Sequence, residues 1–154
     1  MSSHEVIIRF ACRQDVPAIV QLLADDALGA SREVVSEPLP AVYAAAFEAV
    51  DASPDNEIIV AELEGAVIAC LQITFIPGLG RGGVLRAQIE AVRVAASARG
   101  QGLGETLMRA AIDRAVQRDC GLVQLTSDKQ RTEAHRFYKR LGFVASHEGM
   151  KLVL

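Results

Sequence analysis

Apolar positions along the chain change period repeatedly, and each change marks an element. Val6 to Ala11 is a short run of strand character. Beyond it Val16, Ile19, Val20 and Leu23 fall at helical spacing, and Asp15 stands where it can cap a helix reaching about Asp26. A polar stretch from Gly29 to Glu37 follows. Pro38 and Pro40 then introduce a second helix with Val42, Ala45, Ala46 and Ala49 on one face, stopped by Ser53-Pro54-Asp55-Asn56. Glu57 to Leu63 and Ala66 to Ile76 are strand-like runs joined by Glu64-Gly65, and Val84 to Val94 is a third strand beyond the glycine-rich segment Pro77 to Gly83. The period then lengthens: Leu103, Leu107, Ala111 and Ala115 recur every four residues, which predicts a helix over Gly102 to Arg118. Leu122 to Thr126 reads as a strand and Thr132 to Leu141 as a helix. Phe143 to Ser146 and Met150 to Leu154 read as short closing strands.

The order β-α-α-β-β-β-α-β-α-β-β predicts one α/β domain over residues 1–154, a single mixed and mostly antiparallel sheet flanked by helices. A length of 154 residues suffices for one well-buried core, and 51% hydrophobic against 23% charged residues excludes a disordered chain. The net charge of −3 gives no long-range attraction to nucleic acid or to an anionic membrane, so neither is an expected partner. The longest apolar stretch, Ala66 to Leu71, is too short to span a bilayer. Glu5, Arg9, Arg13 and Asp15 leave no room for a signal peptide, so a cytoplasmic location is expected. Cys12, Cys70 and Cys120 are odd in number and widely spaced, which suggests neither a disulfide framework nor a metal site. Each sits among apolar neighbours and reads as core.

Two glycine-rich segments invite a phosphate reading. Gly78 to Gly83 matches G-x-G-x-x-G, but a dinucleotide turn must open a helix, and here an alternating strand follows. The match is accidental. Arg99-Gly100-Gln101-Gly102-Leu103-Gly104 instead follows a strand and opens the periodic helix. Its glycines permit a tight turn that presents backbone N–H groups to an anion, the helix start adds unpaired donors, and Arg99 adds a charge. No Lys-Ser/Thr pair follows, so it is not a nucleotide P-loop. In the preceding strand, Leu85, Ala87, Ile89 and Ala91 share one parity while Val92 and Val94 take the other. Either a bulge near Glu90 to Val92 or a strand end buried on both faces explains the slip.

These blocks carry a resemblance. Arg99 to Gly104 fits the Q/R-x-x-G-x-G/A signature of the GNAT superfamily of N-acetyltransferases, and Ile89-Glu-Ala-Val-Arg-Val94 resembles the strand before it. Ala134-His-Arg-Phe-Tyr-Lys-Arg-Leu-Gly-Phe143 is similar to the family's later helix, which carries a tyrosine near the cofactor sulfur. The resemblance implies the acyl-CoA N-acyltransferase fold and transfer of an acetyl group from acetyl-CoA to a primary amine. It implies cofactor binding by the backbones of Val92, Arg93 and Val94 and by Arg99, Gly100, Gln101, Gly102, Leu103, Gly104 and Glu105. Arg131 stands where many relatives have asparagine, and an arginine there can reach the cofactor's phosphates.

Tyr138 is the implied general acid for the leaving thiolate, against the plain alternative of a packed tyrosine bonded to backbone. Glu90 is the implied base, against a solvated strand residue or an ion-pair partner of Arg86. An aliphatic amine with a pKa near ~10 arrives protonated at neutral pH, so a base is required. His135 and His147 are alternative bases. No metal is implied. Asp25, Asp26, Arg32, Glu33, Arg81 and His147 are polar candidates for the acceptor side, and a small amine is the first expectation, a protein amine the second. A non-catalytic acyl-CoA-binding regulatory module is the competing reading. The closing strand at Met150 to Leu154 suggests a homodimer.

Overall fold

The computed structural model describes residues 5–154, and five strands form one sheet in the order β1-β2-β3-β4-β5. The strands are β1 (Ile7–Phe10), β2 (Asn56–Leu63), β3 (Ala66–Ile76), β4 (Arg86–Val94) and β5 (Leu122–Leu125). All neighbours are antiparallel except β4 and β5, which run parallel. The helices are α1 (Val16–Ala24), the single turn α2 (Ala27–Ala30), α3 (Ala41–Asp51), the single turn α4 (Gly80–Gly83), α5 (Leu103–Gln117) and α6 (Thr132–Arg140). The parallel β4–β5 pair requires a crossover, and α5 supplies it.

That crossover forms the main core. Leu103, Leu107, Met108, Ala111 and Ala115 lie on one stripe of α5 and pack on Ile59, Ala61, Leu71, Ile73, Phe75, Ala87 and Ile89 of the sheet. The opposite face is covered by α1 and α3. Leu22 meets Val60 and Cys70, while Val16, Val20 and Phe47 cluster with Tyr43 and Ile58. Fully burying a side chain of this size stabilises the fold by roughly 1.5–3 kcal/mol, so the α5 layer is the chief source of stability.

Asp15 does not cap α1 as the sequence suggested. Its own backbone is already helical, and a short 3-10 turn at Arg13–Asp15 precedes α1. Its carboxylate instead accepts the Cys12 N–H (2.7 Å) and a two-pronged Arg9 contact (2.7 and 2.9 Å), while Arg9 also binds Glu62. The Arg9 guanidinium holds this carboxyl well below its ordinary range, at about 2. Cys70 is buried as expected, but Cys12 is exposed on the turn before α1, so the core reading fails there.

The closing strands are also absent. Residues 141–154 contain no strand, and Val144, Met150, Leu152, Val153 and Leu154 are exposed. An alternating run becomes a strand only when another strand accepts its backbone hydrogen bonds, and the sequence pattern does not name that partner. The Gly78–Gly83 segment holds α4, whose Arg81 and Gly82 have φ of 53° and 72° and so break any helix start. The dinucleotide match is thereby excluded on geometry as well.

Candidate active site

The parity slip in β4 is a bulge. Cys70 pairs with Arg93 and Gln72 with Glu90, so three steps on β4 oppose two on β3. Ala91 absorbs the extra residue at φ 55°, a left-handed conformation that costs a residue with a Cβ of order 1 kcal/mol. The result is a reallocation of faces. Val92 and Val94 pack into the α5 core, while Glu90 and Arg93 both take the face shared with Cys70 and Gln72.

The sheet opens at the same place. β4 and β5 pair only from Arg86 and Leu122 to Ile89 and Leu125, and β4 then continues to Val94 beside β3 alone. The stretch Glu90 to Val94 therefore has one edge without a neighbouring strand. Arg93 Nη1 donates to the Val92 carbonyl (2.9 Å) and Arg99 Nε to the Val94 carbonyl (3.1 Å).

The glycine loop sits at the end of that edge. Gly100 and Gly102 have φ of 77° and 76°, and a side chain at either would point into open space. Here glycine serves conformation, and the room it leaves is accessible from outside. The first helical N–H used within α5 belongs to Thr106, donating to Gly102 O (3.1 Å), so those of Leu103, Gly104 and Glu105 have no partner in the preceding turn. Gln101 donates to Ser97 O, and Glu105 pairs with Arg109. Gly104 differs from the other two. A Cβ there would lie 3.4 Å from the Phe137 ring and 3.6 Å from Val94, so this glycine lets α6 and β4 close on α5. Arg99 also reaches Asp25 (3.7 Å), tying the loop to the end of α1.

Tyr138 comes from α6. Its ring packs against Phe137 and Phe143, at 5.3 and 6.0 Å between centroids. Among the described residues its hydroxyl has no hydrogen-bond partner, so it is not consumed by a backbone bond. Burial raises its pKa, opposed by the charges of Arg93 and Arg131, and the hydroxyl stays protonated at neutral pH. Glu90 is exposed and accepts a hydrogen bond from Gln88, with no ion pair to Arg86. His135 meets the Asp128 carbonyl through Nε2, and His147 meets Ser146. No metal cluster forms among the described residues.

The structure thus brings Tyr138, Arg93 and Arg131 into one electrostatic neighbourhood, with the glycine loop beyond Val94. Sequence reasoning used only the backbone of Arg93. The shift of Val92 and Val94 to new parity carries the signal that its side chain changes face. Gly29 was missed altogether: a Cβ there would stand 1.9 Å from Leu23 O, so only glycine lets α2 fold against the end of α1. Asp26, at the start of α2, is held by that glycine's N–H on one oxygen and by Arg131 on the other. Burial opposes ionisation of Asp26, and these two donors outweigh it, so its carboxyl lies below the ordinary range.

The Acetyltransferase (GNAT) family matches residues 18–143. A structure from Bacillus halodurans C-125, described as a transcriptional regulator, is 48% identical with a TM-score of 0.95, and the match covers 97% of this chain and 100% of that one. A putative acetyltransferase from Agrobacterium tumefaciens str. C58 is 30% identical with a TM-score of 0.83, over 96% and 99% of the two chains. Glucosamine-6-phosphate N-acetyltransferase from Arabidopsis thaliana, 22% identical, shares the fold at a TM-score of 0.80, over 97% of this chain and 98% of that one. No curated protein matches the chain. With a splayed β4–β5 pair, a glycine loop opening the crossover helix, and a family match over most of its length, the chain belongs to the GNAT family of acetyltransferases.

Proposed function

We propose that this protein transfers the acetyl group of acetyl-CoA to the primary amine of a small molecule, in the cytoplasm. The observation that carries the reading is the free edge of β4 leading into an open glycine loop. The residues fit the donor. Gly100 to Glu105 offer backbone N–H groups and a helix start to the pyrophosphate, and Arg99 supplies a charge. The unpaired edge at Val92, Arg93 and Val94 offers strand-like hydrogen bonding to the amide arm. Acetyl-CoA supplies the activated acyl group when bound.

The chain's own residues then manage protons. Glu90, on the face opposite α5, takes the proton of the incoming amine directly or through water. Tyr138, kept protonated by burial, donates to the departing thiolate. Neither role requires a metal or a covalent enzyme intermediate.

A second reading draws on the Bacillus halodurans structure, whose description as a transcriptional regulator favours a module that binds acyl-CoA without catalysis. Thiol release from acetyl-CoA across a panel of small amines, amino acids, amino sugars and peptides separates the two. Turnover supports the enzyme. Tight acetyl-CoA binding without thiol release supports the regulator. In either case Gly102→Val, which forces a branched side chain onto a φ of 76° at the mouth of the loop, is expected to weaken acetyl-CoA binding at least tenfold by calorimetry. Wild-type affinity in this variant overturns the cofactor assignment.

A further inference from the structure

Two arginines and one carboxylate carry the charge beside Tyr138, and only one of the arginines is paired. Arg131, preceding α6, pairs with Asp26 at the start of α2. Arg93, turned onto the same face by the β4 bulge, feels the charges of Arg131, Asp26 and Tyr138. Asp26 neutralises one guanidinium and leaves a surplus positive charge in a half-buried place. Desolvation and the like charge of Arg131 both act against the protonated Arg93.

The hydrogen bonding is incomplete as well. Arg93 Nε and Arg131 Nη2 are both buried, and neither finds a partner among the described residues. An orphaned buried donor costs about 1–3 kcal/mol, more for a charged group. A purely structural ion pair has no reason to keep two such donors. The nearby charges of opposite sign are already engaged: Asp25 with Arg99, and Asp128 with Arg32. Among the described residues no further carboxylate pairs with either arginine.

We propose that Arg93 and Arg131 form an oxyanion subsite beside Tyr138, so that the amine acceptor also carries a carboxylate or phosphate group. This rests on the reading that acetyl transfer takes place at Tyr138, and it specifies the acceptor class. The anion meets the guanidinium groups of Arg93 and Arg131 and balances the surplus charge. Asp26 keeps Arg131 in place, and Gly29 keeps Asp26 in place. Arg131, which the family resemblance assigned to the cofactor's phosphates, thereby moves to the acceptor.

Two measurements test this independently of each other. In the first, acetate and inorganic phosphate are titrated into the wild type and into Arg131→Gln, each saturated with coenzyme A and also without it, while the arginine Nε–H resonances are followed by NMR. Coenzyme A blocks the glycine loop, so a second anion must use another site. Saturable binding that moves the Arg93 Nε–H signal and weakens about tenfold or more in Arg131→Gln is expected. The stronger of the two anions identifies the group. Absent binding, or equal binding in the variant, overturns the subsite. So does a loss of coenzyme A affinity in Arg131→Gln with anion binding unchanged, because Arg131 would then belong to the cofactor.

In the second, kcat/KM is compared between matched acceptors: amino acids against their amides, and amino-sugar phosphates against the free amino sugars. Anionic acceptors are expected to exceed their neutral partners at least about tenfold in the wild type, and Arg131→Gln should erase that ratio while leaving KM for acetyl-CoA unchanged. Equal turnover of charged and neutral acceptors keeps the acetyltransferase and overturns the subsite. Anion binding at the arginine pair with no thiol release from any acceptor keeps the subsite and removes the catalytic reading. Arg131→Lys, which retains charge and not the guanidinium fork, controls for folding and should restore part of the ratio.

Discussion

The two faces of the sheet are built on opposite principles. Toward α5 the inward residues are apolar throughout, and Leu71, Ile73, Phe75, Ala87 and Ile89 are at most 1% exposed. Toward α1 and α3 only part of the face is apolar. Ile58, Val60 and Cys70 lie under the helices, while the paired positions Thr74 and Asn56, Gln72 and Glu90, and Gln88 and Gln124 are polar. Thr74 and Gln72 bond to Asn56, Gln124 bonds to Gln88, and Gln88 bonds to Glu90. A polar floor is a poor way to gain stability, since each buried polar group must find a partner. The first face holds the protein together. The second gives up apolar burial for a row of polar groups bonded to one another. Two surface depressions, one lined by Phe10, Phe47 and Ile58 and touching the polar floor at Asn56, the other lined by Ile8, Ala110 and Arg114, include none of Glu90, Arg93, Arg131 and Tyr138.

The contrast predicts separate consequences for stability and turnover. Leu107, fully buried on the α5 face, should carry the largest effect. Leu107→Ala is expected to lower unfolding free energy by about 3 kcal/mol in urea denaturation, while kcat of the folded fraction is retained. A comparable loss of kcat at full folding breaks the division of labour.

Next is Asp15, beneath the other layer. Its folded pKa of about 2 lies below the ordinary 3.8, so its contribution is complete above pH 4 and disappears as pH falls toward 2. The stability difference between wild type and Asp15→Asn should accordingly shrink from on the order of 2 kcal/mol at pH 6 to near zero at pH 2. A gap that does not depend on pH would show that the Arg9 contact is not its source.

Smaller still are the effects at the two residues proposed to move protons. Tyr138→Phe keeps the ring and its contacts with Phe137 and Phe143. It is expected to reduce kcat about tenfold with acetyl-CoA affinity and thermal stability unchanged, since coenzyme A thiolate leaves tolerably without help. Wild-type turnover under conditions where chemistry limits the rate removes Tyr138 from the mechanism. Glu90→Gln should have the smallest effect, several-fold and confined to pH below the acceptor's pKa. An unaltered pH–rate profile reassigns the base to water or a histidine.

The layout of the fold was legible in the chain because it depends on local periodicity. The α5 repeat Leu103, Leu107, Ala111, Ala115 and the hairpin at Glu64-Gly65 came out as read. The glycine loop was legible for a related reason: strand, turn and helix follow one another within about fifteen residues. The expected strands at 143–146 and 150–154 failed because a strand is completed by a partner distant in sequence. Asp15 failed for a different reason: Arg9, six residues earlier on β1, and the Cys12 N–H engage its carboxylate ahead of the α1 start.

The sequence by itself determined a mixed α/β fold, the α5 core and a glycine-rich strand-to-helix turn, because period and glycine placement act over a few residues. It also announced that something slips near Ala91. Only the tertiary structure decided that the slip is a bulge, that it turns Glu90 and Arg93 onto one face, and that Arg131 and Asp26 meet across 105 residues of chain. Charges that far apart in sequence acquire a common field only after the sheet and α6 have packed. A surplus guanidinium is therefore a property of the folded site and of no segment within it.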